Sequence, residues 1–142
     1  KYNASEMDPA QRLPFLLNMS SLGNDRLTEL IPFIRSSVFP GNNSVAAAVP
    51  AGKSVAVYVH CIGGKDRTGE VIGSYMMQHL AQQYPNARAA YQEDTQIAMR
   101  NPEIVNTRMM QWYCYWLAGI LAPQQFFGLD CANMANGVVF RA

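Results

Sequence analysis

His60-Cys61-Ile62-Gly63-Gly64-Lys65-Asp66-Arg67-Thr68-Gly69 is the stretch on which the interpretation of this sequence depends. Residues 55–59, which precede it, are rich in β-forming valine and tyrosine, and apolar residues with helical spacing follow it. We therefore expect a loop between the carboxyl end of a strand and the N-terminus of a helix. In α/β sheets, ligands bind in the crevice at that end of the strands.

The residues of this loop predict a binding site for an anion. Gly63 and Gly64 allow a tight curl in which successive backbone N–H groups point inward, and the helix N-terminus adds further unpaired amides. A thiol held in such a nest has a lowered pKa, roughly 3.5–7.5 for cysteines at helix N-termini or beside cations. Arg67 offers a guanidinium that can bind two oxygens of a phosphate. Cys61 is thus predicted to be a thiolate nucleophile beneath a bound phosphate.

The pattern His60-Cys61-x5-Arg67-Thr68 resembles the signature loop of the cysteine-dependent protein tyrosine and dual-specificity phosphatases, a superfamily that includes lipid phosphatases. The resemblance implies a phosphocysteine intermediate on Cys61, phosphate binding by Arg67, and a Thr68 hydroxyl that assists the departing thiolate. His60 is expected to support the loop from below. The sequence Gly-Lys-Asp-Arg-Thr-Gly is more similar to the loops of bacterial secreted phosphatases and phosphoinositide phosphatases than to those of receptor-type tyrosine phosphatases. The residues expected to line the substrate phosphate are Ile62, Gly63, Gly64 and Lys65.

The alternative to a functional site is a buried cysteine before a glycine turn, with Arg67 as a surface charge. A Cys-x5-Arg match alone is a weak signal. The preceding histidine, the two glycines, the following Thr-Gly and the strand–loop–helix context favour the phosphatase interpretation. A rhodanese-type sulfur-transfer loop is disfavoured because Asp-Arg-Thr-Gly follows the cysteine.

The fold expected from this pattern is a single α/β domain, a mixed β-sheet flanked by helices with a helical C-terminal half. We expect the 142 residues to be a fragment of a longer polypeptide, because the phosphatases it resembles carry more sheet before the cysteine. The strands are predicted at residues 13–19, 55–59 and 138–140. The helices are predicted at residues 27–38, 68–83, 87–99 and 102–121. Residues 40–50 are predicted to form a loop.

Composition restricts the function classes. The net charge is +1, which gives no general attraction to nucleic acid, and no apolar run reaches the ~18 residues of a membrane span. Cys61, Cys114 and Cys131 are odd in number and widely spaced, which argues against a disulfide framework and against a zinc site. We expect no metal or cofactor. A nucleophilic thiol needs a reducing compartment, so a cytoplasmic location is expected, in a host cell if the chain is a secreted bacterial effector.

Expulsion of an ester oxygen needs a proton donor, and the sequence offers two candidates. In the tyrosine phosphatases this acid is an aspartate some thirty residues before the cysteine, and Asp25 is the nearest carboxylate to that position. Asp25 is equally suited to capping the helix that follows. Asp66 lies inside the loop, where a bound phosphate would help its carboxyl to keep a proton. We favour Asp66 slightly.

The substrate is predicted from the loop and from one position in the C-terminal half. Lys65 adds a point charge at the rim, which favours a headgroup with several phosphates over phosphotyrosine. Gln111 lies in a segment that resembles the one in which tyrosine phosphatases keep a water-positioning glutamine, although a structural role is favoured for it. The expected substrate is a phosphoinositide or a broad range of phosphomonoesters, with peripheral membrane contact through the lipid headgroup. The alternatives are a phosphotyrosine or dual-specificity protein phosphatase and an inactive phosphate-binding domain.

Overall fold

The computed structural model of the chain describes residues 7–17, 26–39, 49–50, 52–80, 89, 104–121 and 131–132. These residues form four α-helices, and the last of them continues into a π-helical turn. The helices are α1 (Pro9–Leu17), α2 (Leu27–Val38), α3 (Asp66–His79) and α4 (Ile104–Trp116), followed by the π-helical turn Leu117–Leu121. Helix α4 packs against α3 and α1, and α2 packs against α3. The arrangement is therefore a set of helices around α3 and α4.

The described residues contain no β-strand, so the expected α/β fold with a mixed sheet is wrong. Residues 55–59, where a strand was predicted, lie in an extended segment, 53–60, and show the two-residue alternation of a strand. Val55, Val57 and Val59 are partly buried, and the residues between them, including Tyr58, are exposed. A strand also requires a ladder of hydrogen bonds to a neighbour, and within the described residues this segment forms none. The β-forming sequence thus gives an extended segment without a sheet.

Helix α1 replaces the strand predicted at residues 13–19. Its start is set by Asp8, whose Oδ1 accepts a hydrogen bond of 2.9 Å from the Ala10 N–H, and by Pro9 at the first helical position. Pro14 lies inside the helix with its ring exposed, so its presence does not exclude a helix. The helix is anchored on α4, where the rings of Phe15 and Trp112 lie 5.0 Å apart. The Asp-Pro pair was the signal for a helix in this region.

Helix α2 confirms the predicted apolar stripe. Leu27, Ile31 and Ile34 are buried against the rest of the helices. The helix begins before Pro32, which is exposed. Its N-cap is Arg26 in the left-handed conformation (φ 54°), without a side-chain cap, and Asp25, the candidate cap, lies outside the described residues.

The core lies between α3 and α4. Six consecutive residues of α4, 109–114, are buried, which confirms the prediction that this aromatic helix is covered on more than one face. On α3 the fully buried face is not the predicted apolar one. It consists of Thr68, Gly69, Glu70, Gly73, Ser74 and Met77. Gly73 allows the close approach, because a Cβ placed on it would lie 2.6 Å from the Met110 Sδ. Gly73 therefore packs against a helix.

A disulfide joins Cys114 on α4 to Cys131, with a Cα–Cα distance of 5.7 Å. The prediction that the chain has no disulfide is therefore wrong. The number of cysteines is odd, but three cysteines can form one bridge and leave one thiol unpaired. Cys61 is the free cysteine. A bridge of this kind is typical of oxidising compartments and gives no support to the expected cytoplasmic location. That location stays a prediction.

Several predictions of local structure lie outside the described residues. They concern the loop at 40–48, the terminal strand at 138–140, and the helix at 87–99 apart from Ala89. Within the described part of the chain, no helix combines the length and the apolar character needed to cross a bilayer.

Candidate active site

The loop that carries Cys61 connects the extended segment 53–60 to the first turn of α3. Gly64 has φ +65°, a conformation that favours glycine, and its N–H donates to the Cys61 carbonyl over 3.3 Å. Helix α3 then starts at Asp66, and the Gly69 N–H closes its first turn on the Lys65 carbonyl at 2.8 Å. The predicted loop before a helix N-terminus is confirmed, with the helix starting two residues earlier than expected.

The Cys61 thiol is partly buried, and its pKa is lowered from 9.0 to about 7. The largest cause is the Thr68 side chain, and the Thr68 backbone N–H comes next. The backbone N–H groups of Gly64 and Gly63 lower the pKa further, whereas desolvation opposes the shift. All four groups are donors that stabilise the thiolate more than the thiol. The loop therefore encloses the sulfur in the kind of nest that the sequence predicts.

Thr68 is the side chain most closely tied to the thiol. It is only 4 % exposed, and its Oγ1 makes no hydrogen bond of normal length and angle with any group that the structure describes. Its effect on the pKa of Cys61 shows that the hydroxyl lies near the sulfur without reaching an ideal hydrogen bond. A buried hydroxyl without a full partner is costly, and the thiolate is the acceptor available to it. The pair is thus better satisfied when Cys61 is ionised.

The charged residues of the loop differ in exposure. Lys65 and Arg67 are exposed, and Arg67 is not one of the groups that lower the pKa of Cys61. Asp66 is partly buried at the first position of α3, where a carboxylate is favoured by the helix dipole. The nest around the sulfur is therefore made of backbone amides and one hydroxyl, and the cations lie at its outer side.

The remaining predicted residues are Asp25, Gln111 and the supporting His60. Asp25 is outside the described residues. Gln111 is 2 % exposed, and its Nε2 donates to the carbonyls of Cys131 (2.9 Å) and Ala132 (3.3 Å), so this amide ties the segment after the disulfide to α4. His60, expected beneath the loop, is exposed and stacks on the Tyr58 ring with centroids 5.1 Å apart.

Glu70 was not identified from the sequence. It is 5 % exposed, in the second turn of α3, only two residues after Thr68. Its spacing of three and four residues from Gly73 and Ser74 placed it on the face that packs against α4, and this spacing was the available signal. Glu70 is therefore a buried carboxyl close in sequence to the loop.

The donor set within the described residues does not suggest a metal centre, because no three His, Cys, Asp or Glu side chains converge there. Comparison with known proteins gives no match to a family model, to a curated protein or to a solved structure. The residues around Cys61 are therefore the features that indicate a function.

Proposed function

We propose that this chain is a phosphomonoesterase that works through a phosphocysteine intermediate on Cys61. The observation that supports the proposal is the nest of donors from Thr68, Gly64 and Gly63, which lowers the pKa of the thiol to about 7. At neutral pH about half of such thiols are ionised and ready for attack. The resemblance of the loop to the phosphatase signature supports the same chemistry. The proposal depends on the loop alone and not on a phosphatase fold.

The reaction proceeds in two displacements at phosphorus. The Cys61 thiolate attacks, the S–P bond forms and the P–O bond to the alcohol or phenol breaks, while a proton donor supplies the leaving oxygen with a proton. Water then attacks the phosphocysteine, and the S–P bond breaks to release inorganic phosphate. The electron pair returns to sulfur, where the Thr68 hydroxyl and the loop amides stabilise it. Arg67 binds the phosphoryl oxygens in both steps.

The decisive test is hydrolysis of para-nitrophenyl phosphate by the whole chain. We expect turnover in the wild type, none in Cys61→Ser, and wild-type turnover in Thr28→Val, a control on α2 that lies outside the loop sequence. Rapid mixing of Thr68→Ala should show a burst of about one nitrophenol per chain and then slow turnover, because loss of a donor to the leaving thiolate costs roughly 10²–10³ in rate. Turnover that persists in Cys61→Ser would refute the proposal.

The proton donor is proposed to be Asp66, with Asp25 as the competing candidate. An acid matters more when the leaving group is a poor one, so the two are separated with an alkyl phosphate. Asp66→Asn should reduce kcat/KM on the alkyl phosphate far more than on the nitrophenyl ester, and Asp25→Asn should change neither. The opposite pattern would transfer the role to Asp25.

The proposed substrate class is a phosphoinositide or a broad range of phosphomonoesters, with Lys65 reading additional phosphates. The exposure of Lys65 beside the nest favours this over a phosphotyrosine slot, which needs walls around the ring. Lys65→Gln should raise the KM for an inositol bisphosphate headgroup and leave that for phosphotyrosine unchanged. An equal effect on both substrates would remove the preference.

A phosphate-binding domain without turnover is the second candidate. The observation that favours it is the position of Asp66, partly buried at the helix start and therefore suited to a structural role. Inorganic phosphate would then protect Cys61 from alkylation while nitrophenyl phosphate stays unhydrolysed.

A further inference from the structure

The loop that carries Cys61 and the extended segment before it contain the two most exposed large apolar side chains of the described residues. Ile62 is 103 % exposed and Tyr58 is 85 % exposed, against 58 % for Phe33 and Phe39 on or beside α2. Tyr58 and Ile62 belong to one alternating pattern. Residues 56, 58, 60 and 62 are all exposed, whereas residues 55, 57, 59 and 61 are partly buried. The exposed side chains of Ile62 and Tyr58 leave apolar area in water beside a nucleophile, and burial of that area under another surface would be favourable.

Charges of one sign accompany these apolar side chains. Residues 58–67 contain two cations, Lys65 and Arg67, both exposed, and one carboxylate, Asp66, which is partly buried. The exposed charges of this segment are therefore both positive, and the exposed Lys53 precedes it. Apolar side chains that protrude between exposed cations match a surface that is negative outside and apolar within, which is the description of an anionic bilayer.

We propose that residues 58–67 dock the chain onto an anionic lipid surface, with Ile62 and Tyr58 inserted at the level of the acyl-chain boundary. Lys65 and Arg67 then lie among the headgroup phosphates. The inference rests on the proposed function, because it places the nest around Cys61 at the depth of a phosphorylated lipid headgroup. Neither signal is strong alone, and stable attachment to a membrane takes an apolar and an electrostatic contribution together.

A protein strand added to segment 53–60 is the competing occupant. Such a strand would use the backbone groups of the segment and would gain nothing from the fully exposed Ile62, which lies beyond it. It would also give no reason for the excess of cations. The lipid surface accounts for both features.

The experiment is sedimentation of the chain with vesicles of phosphatidylcholine containing about one third phosphatidylserine, a lipid mixture without any phosphomonoester. We expect binding that weakens with salt and disappears on pure phosphatidylcholine vesicles. Ile62→Gln should weaken binding about tenfold by loss of the inserted side chain. Lys65→Gln should weaken it about fivefold. Phe33→Gln, which removes an exposed apolar side chain from α2, is the matched control and should bind as the wild type does.

Three results would overturn the docking proposal, two of them in the vesicle experiment. One is no binding by the wild type, and the other is equal binding by Ile62→Gln and the wild type. If sedimentation velocity without lipid shows self-association that Ile62→Gln abolishes, the apolar side chains belong to a contact between copies, and the proposal also fails. The proposed catalytic function is judged separately, by turnover of soluble nitrophenyl phosphate in the absence of vesicles.

Discussion

The side chain of Thr68, buried in the first turn of α3, lies near the sulfur of Cys61 and is the largest cause of its lowered pKa. The two residues are seven positions apart, and the positive φ of Gly64 allows the loop to return between them. The donor and the thiol are therefore held together by local sequence. This explains how a nest for a thiolate forms although the described residues contain no sheet.

Alkylation of Cys61 by iodoacetamide should follow an ionisation with a midpoint near pH 7. At pH 6, a thiol with this pKa is ionised about a hundredfold more than one with a pKa of 9, but its lower basicity makes each thiolate roughly tenfold less reactive. The net expectation is a rate about tenfold above that of an unperturbed thiol at pH 6. The measurement is the pH dependence of the rate, with mass spectrometry to identify the alkylated residue.

Thr68→Val tests the origin of this shift. Removal of the largest donor should raise the midpoint from about 7 towards 9, and the shift should be incomplete because the amides of Gly63 and Gly64 remain. Thr28→Val provides the control for loss of a hydroxyl outside the loop. An unchanged midpoint in Thr68→Val would mean that the amides alone account for the lowered pKa.

The sequence was informative where structure is determined locally. The two glycines before Asp66 predicted a loop and a helix start, and the positive φ of Gly64 together with the amides around Cys61 agrees with that prediction. The apolar stripe of α2 was likewise readable, since Leu27, Ile31 and Ile34 recur at helical spacing. Such features need no information about distant segments.

The errors arose where a distant partner decides the outcome. The alternating valines of residues 55–59 fit a strand, but a sheet requires a neighbour that the sequence of this segment cannot supply. The pairing of Cys114 with Cys131 depends on where α4 lies relative to residue 131. The segment that begins at Pro9 forms a helix and not the predicted strand for a different reason. The prediction followed the apolar run that contains Pro14 and not the helix start at Asp8 and Pro9.

Removal of the disulfide should destabilise the chain without altering the thiol. The bridge closes a loop with a sequence separation of 17, for which the lost chain entropy corresponds to about 3 kcal/mol. We expect the Cys114→Ser, Cys131→Ser double variant to unfold in less urea by a corresponding amount. The pH midpoint of Cys61 alkylation should stay near 7, because neither bridged cysteine contributes to the nest. A shifted midpoint would show that the bridge holds the loop in place.

Gly73→Ala tests the contact between α3 and α4. Alanine gains about 1 kcal/mol of helix propensity over glycine, but its Cβ would lie 2.6 Å from the Met110 Sδ, and such overpacking costs about 1–3 kcal/mol. The expected net effect on the free energy of unfolding is a loss of about 0–2 kcal/mol. In the Met110→Ala background the clash is absent, so the same substitution should be stabilising by about 1 kcal/mol. The same sign in both backgrounds, measured by urea denaturation, would contradict the contact.

His79 should make stability depend on pH between neutrality and mild acidity. Its pKa is lowered from 6.5 by burial, and by the positive charge of Arg35 on α2, so the folded chain takes up the proton less readily than the unfolded chain does. The buried Nε2 has no hydrogen-bond partner among the described residues, and its ring packs against Tyr75 at 4.9 Å. The contribution of the neutral imidazole to stability is therefore fully present above pH 6.5, and it is lost as the pH falls through that value to the folded-state pKa.

Urea midpoints of the wild type and His79→Gln, compared at pH 7.5 and pH 5.5, isolate this residue from the titrating carboxylates. We expect the wild type to lose more stability than His79→Gln over that interval, whereas an equal loss in both would show that His79 is not the group responsible.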